Sequence, residues 1–234
     1  MSHLTQVFTQ VGGDFILPEA SLIEKMKNIK AFVFDWDGVF TDAGKDFLLN
    51  SRFSEVDSMG TNLLRFSFYI QNGTLPTTAI ISGEKNSSAF TFVDRERFHC
   101  SYSKFANKID AANHLCSVHS IELNQIAYVF DDVLDLGLAE VCGLRIFIPR
   151  KSNPLFNEYV LKHHLADYLT GNTSGQGAVR EACELMIGLN GNYEAVITER
   201  KNFSEVYASY LSLRKATAPI YFTNIDGVVS EVKP

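Results

Sequence analysis

The sequence has little that would tie it to a polyanion, a membrane or an oxidising compartment. Its 21 lysines and arginines are outnumbered by 27 aspartates and glutamates, for a formal charge of −6. That balance argues against nucleic acid as a partner, because phosphate backbones are held by basic faces. Only four cysteines occur, Cys100, Cys116, Cys142 and Cys183, and no two stand in C-x-x-C spacing. Zinc clusters and disulfide frameworks are thereby set aside, and the four read as reduced core residues. No apolar run reaches membrane-spanning length, so no membrane partner is expected. The N-terminus lacks the basic and then apolar pattern of a secretory signal. No repeat period emerges. A soluble cytoplasmic protein with one full core is the expectation at 234 residues.

What is present gathers around one stretch, Ala31-Phe32-Val33-Phe34-Asp35-Trp36-Asp37-Gly38-Val39-Phe40-Thr41-Asp42. A short apolar run of this kind reads as a strand buried on both faces of a parallel sheet. Ligands of open parallel sheets collect at the strands' carboxyl ends, where Asp35 and Asp37 stand. Two carboxylates at that spacing lean to one side and repel unless a cation lies between them. Hard oxygen ligands suit Mg²⁺. An EF-hand loop would need a third acidic or amide residue before its glycine and a later glutamate, and both are missing. A plain acidic turn remains the bland alternative.

The rest of the chain supplies context. Residues 1–28 read as an N-terminal extension with a short helix near Ser21–Met26. Residues 44–56 are polar and interrupted, with Phe47-Leu48-Leu49 and Phe53 as strand pieces of a flap hairpin. A helix is expected over Leu63–Ile70, stopping at Asn72-Gly73. Buried strands are expected at Thr77–Ile81, Ile126–Phe130 and Leu144–Ile148, with helices near 85–92, 109–116 and 134–141 between them. This alternation predicts an α/β, doubly wound parallel sheet with helices on both faces. A glycine-punctuated loop, Gly171–Gly177, opens a helix over Ala178–Ile187. Residues 191–234 read as a helical tail with a helix near Phe203–Leu213. Within that tail, Asn224-Ile225-Asp226-Gly227 echoes the first motif as a coincidence or a terminal strand, since Asn cannot serve as a nucleophile.

Side by side, the strand ends assemble a reaction. The first ends in Asp35 and Asp37, the second in Ser82, and the third in Asp131-Asp132, with Asp135 following. Lys104 and Lys108 compete as the cation. Together these residue types can carry phosphoryl transfer through an aspartyl-phosphate. In that reading Asp35 attacks phosphorus and Asp37 acts as general acid and base. Ser82 and nearby amides bind phosphoryl oxygens, and Lys108 supplies positive charge. Asp35, Asp37 and Asp131 hold Mg²⁺, supported by Asp132 and Asp135. Each residue alone has a bland reading. Ser82 caps a helix, Lys108 is a solvated charge, and Asp131-Asp132 favours a helix start.

The order D-x-D-G-V-x-T-D, strand–Ser-Gly, Lys, strand–D-D-x-x-D resembles the haloacid dehalogenase (HAD) superfamily. Asn107-Lys108-Ile109 and Gly175-Gln176-Gly177-Ala178-Val179-Arg180-Glu181 are similar to its capless sugar-phosphate phosphatases, typified by 3-deoxy-D-manno-octulosonate 8-phosphate phosphatase. The resemblance covers residues 29–190. It implies a Rossmann-like HAD fold without a cap domain, a small phosphomonoester substrate of the ulosonate type and a homotetramer. It also implies substrate-binding roles for Gly83 and Arg180. The chain departs from the pattern at Phe130, where a glycine usually precedes D-D, and at Glu84, where an arginine is usual. Gln176 lacks the usual basic side chain, and Asp57-Ser58-Met59-Gly60 replaces D-G-x-G. Both lost basic residues would have faced an anionic sugar acid, so altered specificity is expected. A response-regulator receiver carries similar residue types in the opposite chain order, and a phosphomutase usually carries a cap. A module with a spoiled pocket that acts by binding is the remaining competitor.

Overall fold

The computed structural model describes residues 2–46 and 51–233. Strand β2 (Ala31–Phe34) is buried along its whole length. Its neighbours β3 (Thr77–Ile81) and β5 (Ile126–Phe130) run parallel to it on either side. Beyond them lie β4 (Cys100–Ser103) and β6 (Leu144–Phe147), also parallel. One edge is finished by β7 (Tyr168–Leu169) and the antiparallel β1 (Asp14–Phe15). The other is finished by β8 (Ile220–Ile225), parallel to β4, and the antiparallel β9 (Val228–Val232). The spatial order is β1-β7-β6-β5-β2-β3-β4-β8-β9.

Strand alternation divides the apolar residues between two cores. Phe32 and Phe34 face one core with α1 (His3–Gln10), α2 (Glu19–Lys27), α3 (Glu55–Asn72), α4 (Ser87–Glu96), α8 (Ala178–Asn190), α9 (Tyr193–Lys201) and α10 (Glu205–Ala216). Ala31 and Val33 face the other, with α5 (Lys108–His119), α6 (Leu136–Ala139) and α7 (Pro154–Lys162). Because helices cover both faces, continuous apolar runs rather than alternating ones form the central strands. Among the described residues, no helix is long and apolar enough to cross a membrane.

Several boundaries differ from the sequence expectations. Helix α3 begins at Glu55, capped by the Ser54 hydroxyl, and ends at Gly73 with a φ of 71°. The expected strand pieces Phe47-Leu48-Leu49 lie outside the described residues. Phe53 is not in a strand, and its ring packs against Trp36 and Phe92. Helix α2 starts after Pro18, which leaves Ser21 inside it rather than as its cap. The segment expected as one helix over 134–141 is a 3₁₀ turn, Val133–Asp135, followed by the short α6.

The two end segments are built into the sheet. Residues 1–28 contribute β1, and the tail contributes β8 and β9 besides its helices. The Asn224 echo is thus a terminal strand. Asp226 and Gly227, at φ 51° and 84°, make the tight turn of its hairpin.

Candidate active site

The register of the three central strands sets the site. The Asp35 amide donates to Val129 O at 3.0 Å, which carries β2's pairing one residue past its end. Asp35, Ser82 and Asp131 therefore emerge at neighbouring carboxyl ends, followed at Gly38 by a backbone turn with φ +90°. The loop after β4 is tied in by Phe105 N, which donates to Ser82 O. This places Lys108, the first residue of α5, beneath the strand ends rather than in solvent.

Lys108 is buried with its Nζ 2.5 Å from Asp35 Oδ1 and 2.5 Å from Asp135 Oδ1. Asp135 is fully engaged. It also accepts the Tyr128 hydroxyl at 2.6 Å and the amides of Asp131 and Asp132 at 3.2 and 3.0 Å. The exposed Asp132 turns elsewhere and caps the 3₁₀ turn through the Val133 amide. Asp131 stands apart. Among the described residues neither of its buried oxygens accepts a hydrogen bond, although Arg150 Nη2 lies 2.6 Å from Oδ2. Apart from Tyr128, these groups line a cavity of about 350 Å³, with Ala43, Glu84, Val133 and Leu134 around it.

Burial dominates the electrostatics. It raises the Asp35 carboxyl to about 7 against the opposing charge of Lys108. Burial and the charges of Asp35 and Asp135 raise Asp131 to about 9. Burial would lower Lys108, but the two carboxylates outweigh it and hold the ammonium above its ordinary range. The cluster is therefore short of positive charge.

One oxygen each from Asp35, Asp131 and Asp135 lies within 4.8 Å of the others. An all-oxygen donor set, a buried carboxylate that accepts no hydrogen bond among the described residues and a charge deficit together fit a hard divalent cation such as Mg²⁺. Asp35 and Asp131 have the capacity to hold it. Asp135 is committed to Lys108, Tyr128 and the loop amides.

Other expected residues lie at different distances from this centre. Asp37 lines the cavity, but its carboxylate turns to Asn86 Nδ2 at 3.1 and 3.0 Å and to Lys45 Nζ at 3.0 Å. It is not one of the three clustered carboxylates. Ser82 is buried and its hydroxyl accepts the Glu84 amide, while Gly83 lies against Leu134. Lys104 does not line the cavity; it holds a left-handed backbone at φ 63°. The Arg180 guanidinium pairs with Glu184 and lines a separate cavity with His3 and Val7, as does Gln176. Phe130 does not crowd the acidic pair. Its ring stacks between Tyr128 and Phe147 in the core on the α5 side, because it alternates away from Asp131 along the strand.

Sequence reasoning missed Tyr128, Asn86, Lys45 and Arg150. Asn86 carried a faint signal as a polar residue at a helix start, but its amide serves Asp37 instead of the helix. Nothing local marks the other three.

No family model matches the chain. Its sequence is 28% identical over 180 residues to 3-deoxy-D-manno-octulosonate 8-phosphate phosphatase KdsC of Escherichia coli K12, covering 75% of this chain and 88% of the relative. A Legionella pneumophila structure described as a HAD superfamily hydrolase, subfamily III A, matches with a TM-score of 0.64 at 28% identity, covering 78% of this chain and 95% of the other. The Moraxella catarrhalis 3-deoxy-D-manno-octulosonate 8-phosphate phosphatase, solved with magnesium ion, phosphate ion and KDO, matches with a TM-score of 0.63 at 27% identity, covering 76% and 97%.

Proposed function

We propose that the chain is a capless, KdsC-like member of the haloacid dehalogenase superfamily and that it works as a Mg²⁺-dependent sugar-phosphate phosphatase with Asp35 as nucleophile. The observation that carries the proposal is Lys108 held between Asp35 and Asp135, with Asp131, which accepts no hydrogen bond among the described residues, beside them. Lys108 fixes the Asp35 carboxylate and favours its ionised, nucleophilic form against burial.

An Asp35 oxygen then bonds to phosphorus as the bond to the sugar oxygen breaks. Asp37, held by Asn86 and Lys45, gives that oxygen its proton. It later takes one from the water that cleaves the aspartyl-phosphate. The Ser82 hydroxyl and the amides that follow it bind phosphoryl oxygens. Asp135 positions Lys108 and the loop carrying Asp131. Bound at Asp35 and Asp131, Mg²⁺ would supply charge neutralisation between carboxylate and phosphoryl oxygens.

The relatives' names favour an ulosonate-type phosphate. Glu84, beside the apolar Val133 and Leu134, opposes a substrate carboxylate, so neutral sugar phosphates should compete with acidic ones. We further infer a cytoplasmic homotetramer in which residues 29–190 form the phosphatase unit.

The test is phosphate release from a panel of acidic and neutral sugar phosphates. Mg²⁺-dependent turnover is expected, abolished by EDTA and reduced at least about 10³-fold in Asp35→Asn. No release by the wild type from any panel member would leave only the binding-module reading.

A further inference from the structure

One cation in the cavity has no part in the reaction above. Arg150 follows β6 and reaches Asp131, where its Nη2 lies 2.6 Å from Oδ2. The contact is an ion pair without an aligned hydrogen bond. Among the described residues neither Asp131 oxygen accepts one, and the buried Arg150 Nε has no partner. Gly38 makes room for it. A Cβ at that position would stand 1.9 Å from Arg150 Nη2 and 2.1 Å from Asp131 Oδ2, so a side chain at 38 and this guanidinium exclude each other. The Arg150 side chain keeps 24% exposure, against 2% for Lys108. It has an open side toward which to move, and the lysine has none.

We propose that Arg150 is a further residue of the site: it holds Asp131 in the metal-free protein and passes to the phosphoryl oxygens when a divalent cation takes that carboxylate. The inference rests on the phosphatase reading. Its basis is charge. With all three carboxylates ionised, the form that binds a cation, Asp35, Asp131 and Asp135 carry one negative charge more than Lys108 and Arg150 offset. A divalent cation on Asp35 and Asp131 reverses that sign and repels the guanidinium at short range, in surroundings that screen poorly. The phosphoryl group restores negative charge, and the planar fork of the arginine matches two of its oxygens. Arg150 thus competes with the metal before substrate binds and cooperates with both afterwards.

Two measurements on the full chain test this. The first is Mn²⁺ binding to metal-stripped protein, followed by electron paramagnetic resonance. The second is inhibition by inorganic phosphate at saturating Mg²⁺. Arg150→Gln is expected to bind Mn²⁺ about fivefold tighter or more, and to be inhibited by phosphate about tenfold less strongly. Arg150→Lys, which keeps the charge without the fork, should fall between on both. An arginine that only orients Asp131 gives the opposite sign, weaker Mn²⁺ binding on its removal. Mn²⁺ binding that weakens or stays equal overturns the proposal, and so does unchanged phosphate inhibition. Because Mn²⁺ binding needs no turnover, a chain without phosphatase activity would fail the functional reading separately.

Discussion

Lys108 shows how far a single residue's role depends on what folds around it. Read alone it is a solvated surface charge; in the structure it is the counter-ion of two buried carboxylates. Removing one partner of such a buried group leaves uncompensated charge, at a cost of about 3–5 kcal/mol. Lys108→Met should lose stability of that order in urea unfolding with EDTA present, and a loss under about 1 kcal/mol would contradict the assignment. Asp35, Ser82 and Asp131 are legible in the sequence because each ends an apolar run, and parallel strands end side by side. Tyr128 and Arg150 are not legible, since their side chains reach the site only after the sheet and the loop after β6 are placed, and Asn86 shows only as a polar residue at the start of α4.

At the scale of elements, Asp57 joins two helices. Lying on α3, it accepts the Arg180 amide at 2.9 Å and so caps the first turn of α8. Gly60, one turn on, lets the helices close, since a Cβ there would stand 3.0 Å from Arg180 Cα. Sequence comparison marked Asp57–Gly60 as a departure from a phosphatase motif, whereas the contacts give Asp57 and Gly60 a packing role. Burial raises the Asp57 carboxyl to about 6, partly offset by the Arg180 amide and charge. The folded chain therefore holds this proton more firmly than the unfolded one. The associated stability is complete below pH about 4 and is lost as pH rises to about 6. Asp57→Asn, which keeps an acceptor without the charge, should remove Asp57's share, about 1–3 kcal/mol, of a decline over that window to which Asp35 and Asp131 also contribute. Equal slopes for the two proteins in pH-dependent urea unfolding would show that Asp57 does not titrate there.

Over the whole molecule, the α/β class follows from the alternation of strands and helices, while the sheet's edges do not. Strands β1 and β7 have two residues each and give no periodic signal. Strand β8 lies far along the chain from β4, which it pairs with in parallel. The tail is anchored to the middle of the chain, with Arg214 of α10 bonded to Glu96 and Tyr210 to Asn62 O. All of this scaffold keeps β2, β3 and β5 in register, and that register helps bring five separate segments to one cavity. What the assembled molecule is proposed to do is carry a phosphoryl group on Asp35 for part of each cycle. Borohydride reduction during turnover, followed by peptide mass spectrometry, reads this directly. The account predicts homoserine at position 35 only when Mg²⁺ and substrate are both present. Sustained turnover with position 35 unreduced, or with the reduced acid found elsewhere, would contradict it.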